Sequence, residues 1–170
     1  MDPFDDTEDT GFAESEATID ALTLLREDHQ ETMALFEGYE RAVSAAQDDR
    51  RQELAQRICE LLTAHAQIEE EIFYPAVRAA IVEQDLLDDA EVEHATTKDL
   101  IEQIQSMDVD EALYDAKVRV LGEYVRHHVG IEEDELFGLV ELADIDLDRL
   151  GDELAARRRE LLGSDTEIAG

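Results

Sequence analysis

Histidines and glutamates at helical spacing carry most of the chemistry this 170-residue chain can offer. Glu69 follows His65 by four residues, and Glu132 follows His128 by four. On an α-helix such a pair differs by about 40° in direction and roughly 6 Å along the axis. Both side chains of each pair therefore point the same way. His29 and His94 lie in two other helical segments, each beside an apolar stripe. A bare carboxylate inside an apolar bundle costs several kcal/mol, on the order of an unpaired buried charge. Bound cations would remove that cost. Imidazole nitrogen with carboxylate oxygen suits iron, zinc or manganese. Two glutamates in a bundle core can also bridge two metals.

These side chains need helices to place them. Proline occurs only at positions 3 and 75, and no alternating strand pattern appears. Asp49 to Gln52, Asp88 to Glu91 and Asp108 to Glu111 each resemble a capping box with aspartate as the cap. They predict helices near 18–46, 50–81, 89–106 and 110–142. A shorter fifth helix is expected over about 147–162, stopping at Gly163.

Apolar residues recur with a period of 3.6. The first stripe holds Leu22, Leu25, Met33, Phe36 and Val43, and the second Leu54, Ile58, Leu61, Ile68 and Ile72. Ile101 and Ile104 follow in the third, and Leu121, Val125, Leu136 and Leu139 in the fourth. Four amphipathic helices with short links imply an all-α, antiparallel up-down four-helix bundle with a short extra C-terminal helix. The expected organisation is an acidic disordered tail over 1–17, the bundle over 18–142, and a C-terminal helix and tail over 143–170. Pro75 predicts a kink near Glu71–Pro75. No internal repeat stands out. His29 and His65 are level about the first turn, whereas the other histidines sit at unequal distances from the turns near 85 and 109.

Composition narrows the function classes. The formal net charge is −32, with 46 acidic residues against 14 basic. Such a surface repels phosphate backbones and anionic membranes. No nucleic acid or membrane partner is expected, and oligomeric state is not indicated. The acidity, with only Lys98 and Lys117 as lysines, is that of a protein from a salt-rich cytoplasm. No apolar run reaches the roughly 20 residues of a membrane span, and the N-terminus lacks a signal-peptide pattern. The expected location is cytoplasmic. Cys59 is the only cysteine, which excludes an internal disulfide or a cysteine-rich zinc site.

The segments LLREDHQETMALF, LLTAHAQIEEEIFYPAV, EVEHATTKDLI and VRHHVGIEEDELF together resemble the hemerythrin-like, HHE cation-binding family over about residues 18–142. The resemblance implies a bundle holding a non-haem di-iron centre. In that arrangement Glu69 and Glu132 bridge the two irons, His29 and His65 serve one, and His94 and His128 serve the other. Oxygen-carrying hemerythrins have a further histidine one turn before the His94 position, where this chain has Ala90. They also use a longer His-to-Asp spacing where this chain has His128 and Glu132. These departures leave one iron more open, to water, peroxide or nitric oxide. The pattern is similar to di-iron proteins of iron–sulfur cluster repair and to iron-sensing domains, without the cysteine-bearing module of the former.

The expected function is thus binding of oxygen or a related small ligand at two irons, for sensing, storage or scavenging. The alternative is a di-iron oxidoreductase or iron donor in stress defence. Zinc and manganese remain compatible with the ligand set. Among the neighbours, His127 points about 100° away from His128 and reads as a surface or outer-layer residue. Glu93 is either solvated or an acceptor for a ligand, Glu91 completes a helix cap, and Tyr124 reads as packing. Cys59 is expected to be an inert thiol.

Overall fold

A computed structural model describes residues 19–163, and the expected acidic tail lies outside them. All regular structure among these residues is helical. Helix α1 spans Ala21–Ser44 and α2 spans Asp48–Ile68. A π-turn over Glu69–Phe73 carries α2 into α3, Tyr74–Arg78. Helices α4 (Gln84–Gln105) and α5 (Tyr114–Ile131) follow. A second π-turn, Glu132–Leu136, leads into α6, Phe137–Leu142. Helix α7, Leu147–Leu162, closes the fold. Helix α1 packs on α2 and α5, α4 packs on α5 and α2, and α7 lies against α1 and α2.

The start signals behave differently from the sequence expectation. Asp20 does cap α1, its Oδ1 accepting from Thr23 N at 2.8 Å, and Asp146 caps α7. Asp88 instead lies inside α4, which begins at Gln84, and its side chain accepts from Arg78. Asp108 and Glu111 hydrogen-bond each other within a turn, and α5 starts only at Tyr114. These later and earlier starts level the histidines. His65 lies nearly four turns before the end of α3, and His94 about three turns into α4. The same near-equality holds for His94 and His128 about the link between α4 and α5.

The expected kink at Pro75 takes the form of a π-turn. Tyr74 N–H donates to Glu69 O, five residues back, so one extra residue is accommodated before the proline. Proline is not the common cause, because Phe137 N–H donates to Glu132 O in the same way with no proline nearby. Each π-turn begins at one of the two core glutamates. The extra residue rotates the apolar stripe beyond it. Ile72 and Leu139 are consequently only partly buried, while Phe73, Val77, Phe137 and Val140 are fully enclosed.

The interior is two apolar clusters rather than one. One end packs Leu25, Ile68, Phe73, Leu87, Phe137 and Leu154. The other packs Phe36, Ile58, Ile101, Leu121 and Val125. Each fully buried side chain of this size contributes about 1.5–3 kcal/mol. Between the clusters lies a polar layer, because each histidine interrupts its helix's stripe: His29 between Leu25 and Phe36, His65 between Leu62 and Ile68. Gly122 allows α1 and α5 to close over the second cluster, as a Cβ there would meet the Phe36 ring at 3.1 Å.

The charge has a measurable consequence. Salt shortens the screening length from about 10 Å at 0.1 M to about 3 Å at 1 M. The melting temperature is therefore expected to rise steadily with sodium chloride over that range, followed by circular dichroism. A flat or falling curve would show that self-repulsion of the −32 surface does not limit stability.

Candidate metal centre

The structure brings His29, His65, Glu69, His94, His128 and Glu132 together in the polar layer. Glu69 is fully buried and Glu132 is 2 % exposed. His29 Nε2 and His65 Nε2 stand 3.2 Å apart, as do His94 Nε2 and His128 Nε2. Glu132 reaches both pairs with different oxygens: Oε1 is 3.3 Å from His29 and Oε2 is 3.1 Å from His128. Glu69 Oε1 lies 2.6 Å from His65 and 3.8 Å from His94. Two donor groups result, each compact enough for one ion: His29, His65, Glu69 and Glu132, and Glu69, His94 and His128.

Both oxygens of Glu69 and Oε1 of Glu132 are buried without a hydrogen-bond partner. Such orphaned acceptors are rare in folded proteins and call for an explanation. Carboxylate oxygens and imidazole nitrogens converging on one point are what cations require. The donor set therefore fits metal.

Electrostatics agree. Burial and the neighbouring Glu132 charge push the Glu69 carboxyl above its ordinary value. Burial alone would do the same to Glu132, but the His128 and His29 rings beside its oxygens outweigh it and hold that carboxyl well below the usual range. His128 rises to about 9: burial opposes its charge, and Glu132 more than compensates. His65 is also held well above its ordinary value, by Glu69 and Asp28 against burial. His94 falls to about 3 through burial and the charge on His128.

Outer carboxylates complete the site: Glu93, which the sequence already offers as an acceptor for a ligand, and three that sequence reasoning missed, Asp28, Glu70 and Glu133. Every ligand-type histidine turns its Nδ1 toward an outer carboxylate. His65 meets Asp28 at 3.1 Å and His128 meets Glu93 at 2.7 Å. His29 faces Glu133 at 3.6 Å and His94 faces Glu70 at 4.0 Å. The hydrogen bonds to His65 and His128 fix those two rings and leave Nε2 free for metal, whereas Nδ1 of His29 and of His94 is buried without a hydrogen-bond partner. Asp28 directly precedes His29, and Glu93 directly precedes His94. Glu70 follows Glu69, and Glu133 follows Glu132. A twofold internal repeat is thus visible in three dimensions, although the sequence reading found none. Acidic runs that look solvated contributed two of these partners, so only spacing to the core glutamates could have singled them out.

The repeat breaks at one position. Tyr74 follows the first π-turn and Phe137 follows the second. The Tyr74 hydroxyl donates to Glu132 Oε2 at 2.7 Å and lies 3.3 Å from both His94 Nε2 and His128 Nε2. Phe137 instead stacks beside His29, ring centres 6.2 Å apart. The nearby tyrosine is therefore Tyr74, whereas Tyr124 is half exposed on the surface. Ala90, at the position noted in the sequence, packs in the apolar core. His127 is largely exposed and Glu91 is a surface residue near Arg78. Cys59 is buried, and burial pushes its thiol up to about 12, consistent with an inert group.

The profile of the hemerythrin HHE cation-binding domain matches residues 20–140, which span all six core residues. This chain belongs to that family. The HHE chain also superposes on the crystal structure of a hemerythrin HHE cation-binding domain-containing protein from Mycobacterium kansasii. There the TM-score is 0.73 at 24 % identity, covering 86 % of this chain and 89 % of the other. At that identity the likeness speaks for the fold. A protein of Nostoc sp. described as a DNA nickase is 34 % identical over 121 residues, 69 % of the HHE chain. The match spans only 32 % of the Nostoc protein's length. Among the described residues, no helix of this HHE protein is long and apolar enough to cross a membrane.

Proposed function

We propose that the chain holds two iron ions bridged by Glu69 and Glu132. His29 and His65 serve one ion, and His94 and His128 the other. The observation that carries this reading is Glu132, buried, with one oxygen facing each histidine pair. When bound, such a pair of ions supplies open coordination positions and one-electron redox chemistry toward a small ligand such as oxygen, nitric oxide or peroxide.

The chain's own residues define what can enter. All four imidazoles line one narrow cavity whose remaining walls are mostly apolar, including Leu62, Ile101, Val125 and Val129. That lining suits a diatomic or peroxide-sized molecule and offers little to a larger polar one. Tyr74 supplies the one hydroxyl inside the donor cluster and can hold a proton against Glu132. Burial with Glu132 and Glu69 keeps that phenol proton on, far above its ordinary range. Sensing, storage or scavenging of a small ligand, in the cytoplasm, is the role this arrangement supports. The apolar cavity and the −32 charge favour such a ligand over the DNA named for the Nostoc relative.

The test is iron per chain by elemental analysis, on protein expressed with iron and purified anaerobically in high salt, then titrated with oxygen, nitric oxide or peroxide. Near two irons and a stoichiometric spectral change with one ligand support the reading. Zinc or manganese in place of iron would revise the metal. No metal would reject the centre.

Two further outcomes are expected. His128, held near 9, and His65, held well above its ordinary value, carry protons in the metal-free site at pH 7. Metal requires neutral imidazole and ionised carboxylate, so uptake releases protons. Affinity must then increase as pH rises from about 6 toward 9, and fall in acid. Titration calorimetry in buffers of different ionisation enthalpy checks this; proton-neutral uptake would contradict it. Tyr74→Phe is expected to weaken the ion nearest His94 and His128 by about tenfold, on the scale of outer partners. The His29–His65 ion should be much less affected, as read by competition with a chelator.

A further inference from the structure

The four outer carboxylates are not equivalent. Glu70 is bound by Lys98 at 2.6 Å on the surface, and Glu133 has Arg26 at 4.0 Å. Glu93 is 30 % exposed, with the His127 ring at 3.9 Å and the His128 ring at 2.7 Å. Asp28 alone is buried, at 8 % exposure. While its Oδ2 meets His65 Nδ1, its Oδ1 accepts from Arg158 Nε at 2.8 Å.

Arg158 comes from α7, outside the four-helix bundle. Its guanidinium also reaches Glu31 on α1 at 3.3 Å. The preceding residue, Arg157, turns about 100° away on the helix and grips Glu71 in the first π-turn at 2.8 Å. Two consecutive arginines therefore tie α7 to α1 and to the first π-turn, and of the two only Arg158 touches a carboxylate that meets an imidazole. The His94–His128 half receives no such clamp from α7 among these contacts.

We propose that Arg158 is a positioning residue for the ion served by His29 and His65, acting through Asp28 on the ring of His65. The inference rests on the two-metal reading. Arg158 occupies one oxygen of Asp28, so the other is held in one orientation toward His65 Nδ1. The fork from Nε and a terminal nitrogen to two carboxylates on one helix leaves the guanidinium little freedom. The His65 ring is thereby aimed before metal arrives. Its counterpart His128 leans on the partly exposed Glu93. The two ions should differ accordingly, with α7 setting the retention of one of them.

The test loads the full chain anaerobically with iron(II) and follows its removal by an excess of iron(II) chelator. Arg158→Gln is expected to speed loss of one iron per chain by about tenfold, leaving the other at the wild-type rate. Asp28→Asn should act on the same phase, by about tenfold or more. Arg158→Lys, which keeps charge without the fork, should restore part of the retention. Arg157→Gln removes a neighbouring clamp of α7 without touching Asp28, and should release iron at the wild-type rate. Should Arg158→Gln lose helical content by circular dichroism, Arg158→Lys and Asp28→Asn carry the comparison. Wild-type kinetics in Arg158→Gln would overturn the proposal, as would equal acceleration of both phases. The same acceleration in Arg157→Gln would assign the effect to docking of α7 in general. A wild-type chain that holds no iron would remove the two-metal reading itself, an outcome distinct from all of these.

Discussion

Glu132→Gln is expected to empty both halves of the centre at once. Each oxygen of Glu132 faces a different histidine pair, so its loss removes a donor from both ions. Outer partners of a metal site typically matter by about 10–100-fold in affinity. A shared inner donor should exceed the top of that range for both ions. Glu69→Gln should act in the same way on metal content, and His127→Ala should leave it unchanged, because that ring is largely exposed. The two glutamate variants should differ without metal. Glu132 is the carboxyl held ionised by His128 and His29, so its loss strands a buried cation. Glu69 is pushed toward its neutral form, for which glutamine is nearly isosteric. Metal-free Glu69→Gln should therefore melt above metal-free Glu132→Gln. Saturating metal at about 1,000 times Kd stabilises the wild type by about 4 kcal/mol. At roughly 2–4 °C per kcal/mol for a chain of this size, that is about 8–16 °C of melting temperature, absent in both variants. Equal metal content in Glu132→Gln and wild type would refute the bridging role.

Gly151→Ala is expected to loosen α7 from the bundle. A Cβ at Gly151 would overlap the Ile19 carbonyl oxygen and lie within 2.8 Å of Ala21 N and Asp20 C. These are backbone atoms at the start of α1, so no flexible side chain can yield. Overpacking of a tight contact costs about 1–3 kcal/mol, and backbone collisions belong at the upper end. The melting temperature should fall by about 4–12 °C. Leu150 and Leu154, which α7 buries, would gain exposure, raising binding of a hydrophobic dye. Because Arg158 rides on the same helix, retention of the His29–His65 iron should fall with it. A variant as stable as wild type would mean the two backbones separate at little cost.

The helical class, the four long amphipathic segments and the six residues that meet in the polar layer were legible because helical periodicity is local. Leu22, Leu25, His29 and Phe36 occupy one face by arithmetic, and the recurring H-x-x-x-E spacing holds wherever the helix stays regular. Regularity ends at the glutamates themselves. Reading straight through at 3.6 residues per turn assigned Ile72 and Leu139 to the core, whereas the π-turns bury Phe73, Phe137 and Val140. The same extra residue aims Tyr74 into the donor cluster, which no uniform period could anticipate. Helix starts were misplaced where aspartates made other contacts, as with Asp88 on Arg78 and Asp108 with Glu111.

The outer carboxylates show the limit most plainly. In the sequence Asp28, Glu70 and Glu133 do not stand out from the other acidic residues, and Glu93 stands out only by its place beside His94. Their roles depend on which imidazole arrives from a different helix, and in Asp28's case on an arginine 130 residues away. Residue type and local spacing determined on their own that this chain forms a helical bundle with imidazoles and carboxylates on its inner faces. Only the tertiary structure decided which carboxylate holds which ring, and that Tyr74 enters one half of the centre while α7 braces the other. Periodicity is a property of neighbouring residues along the chain, whereas ring orientation and charge compensation belong to side chains that meet only after the helices pack.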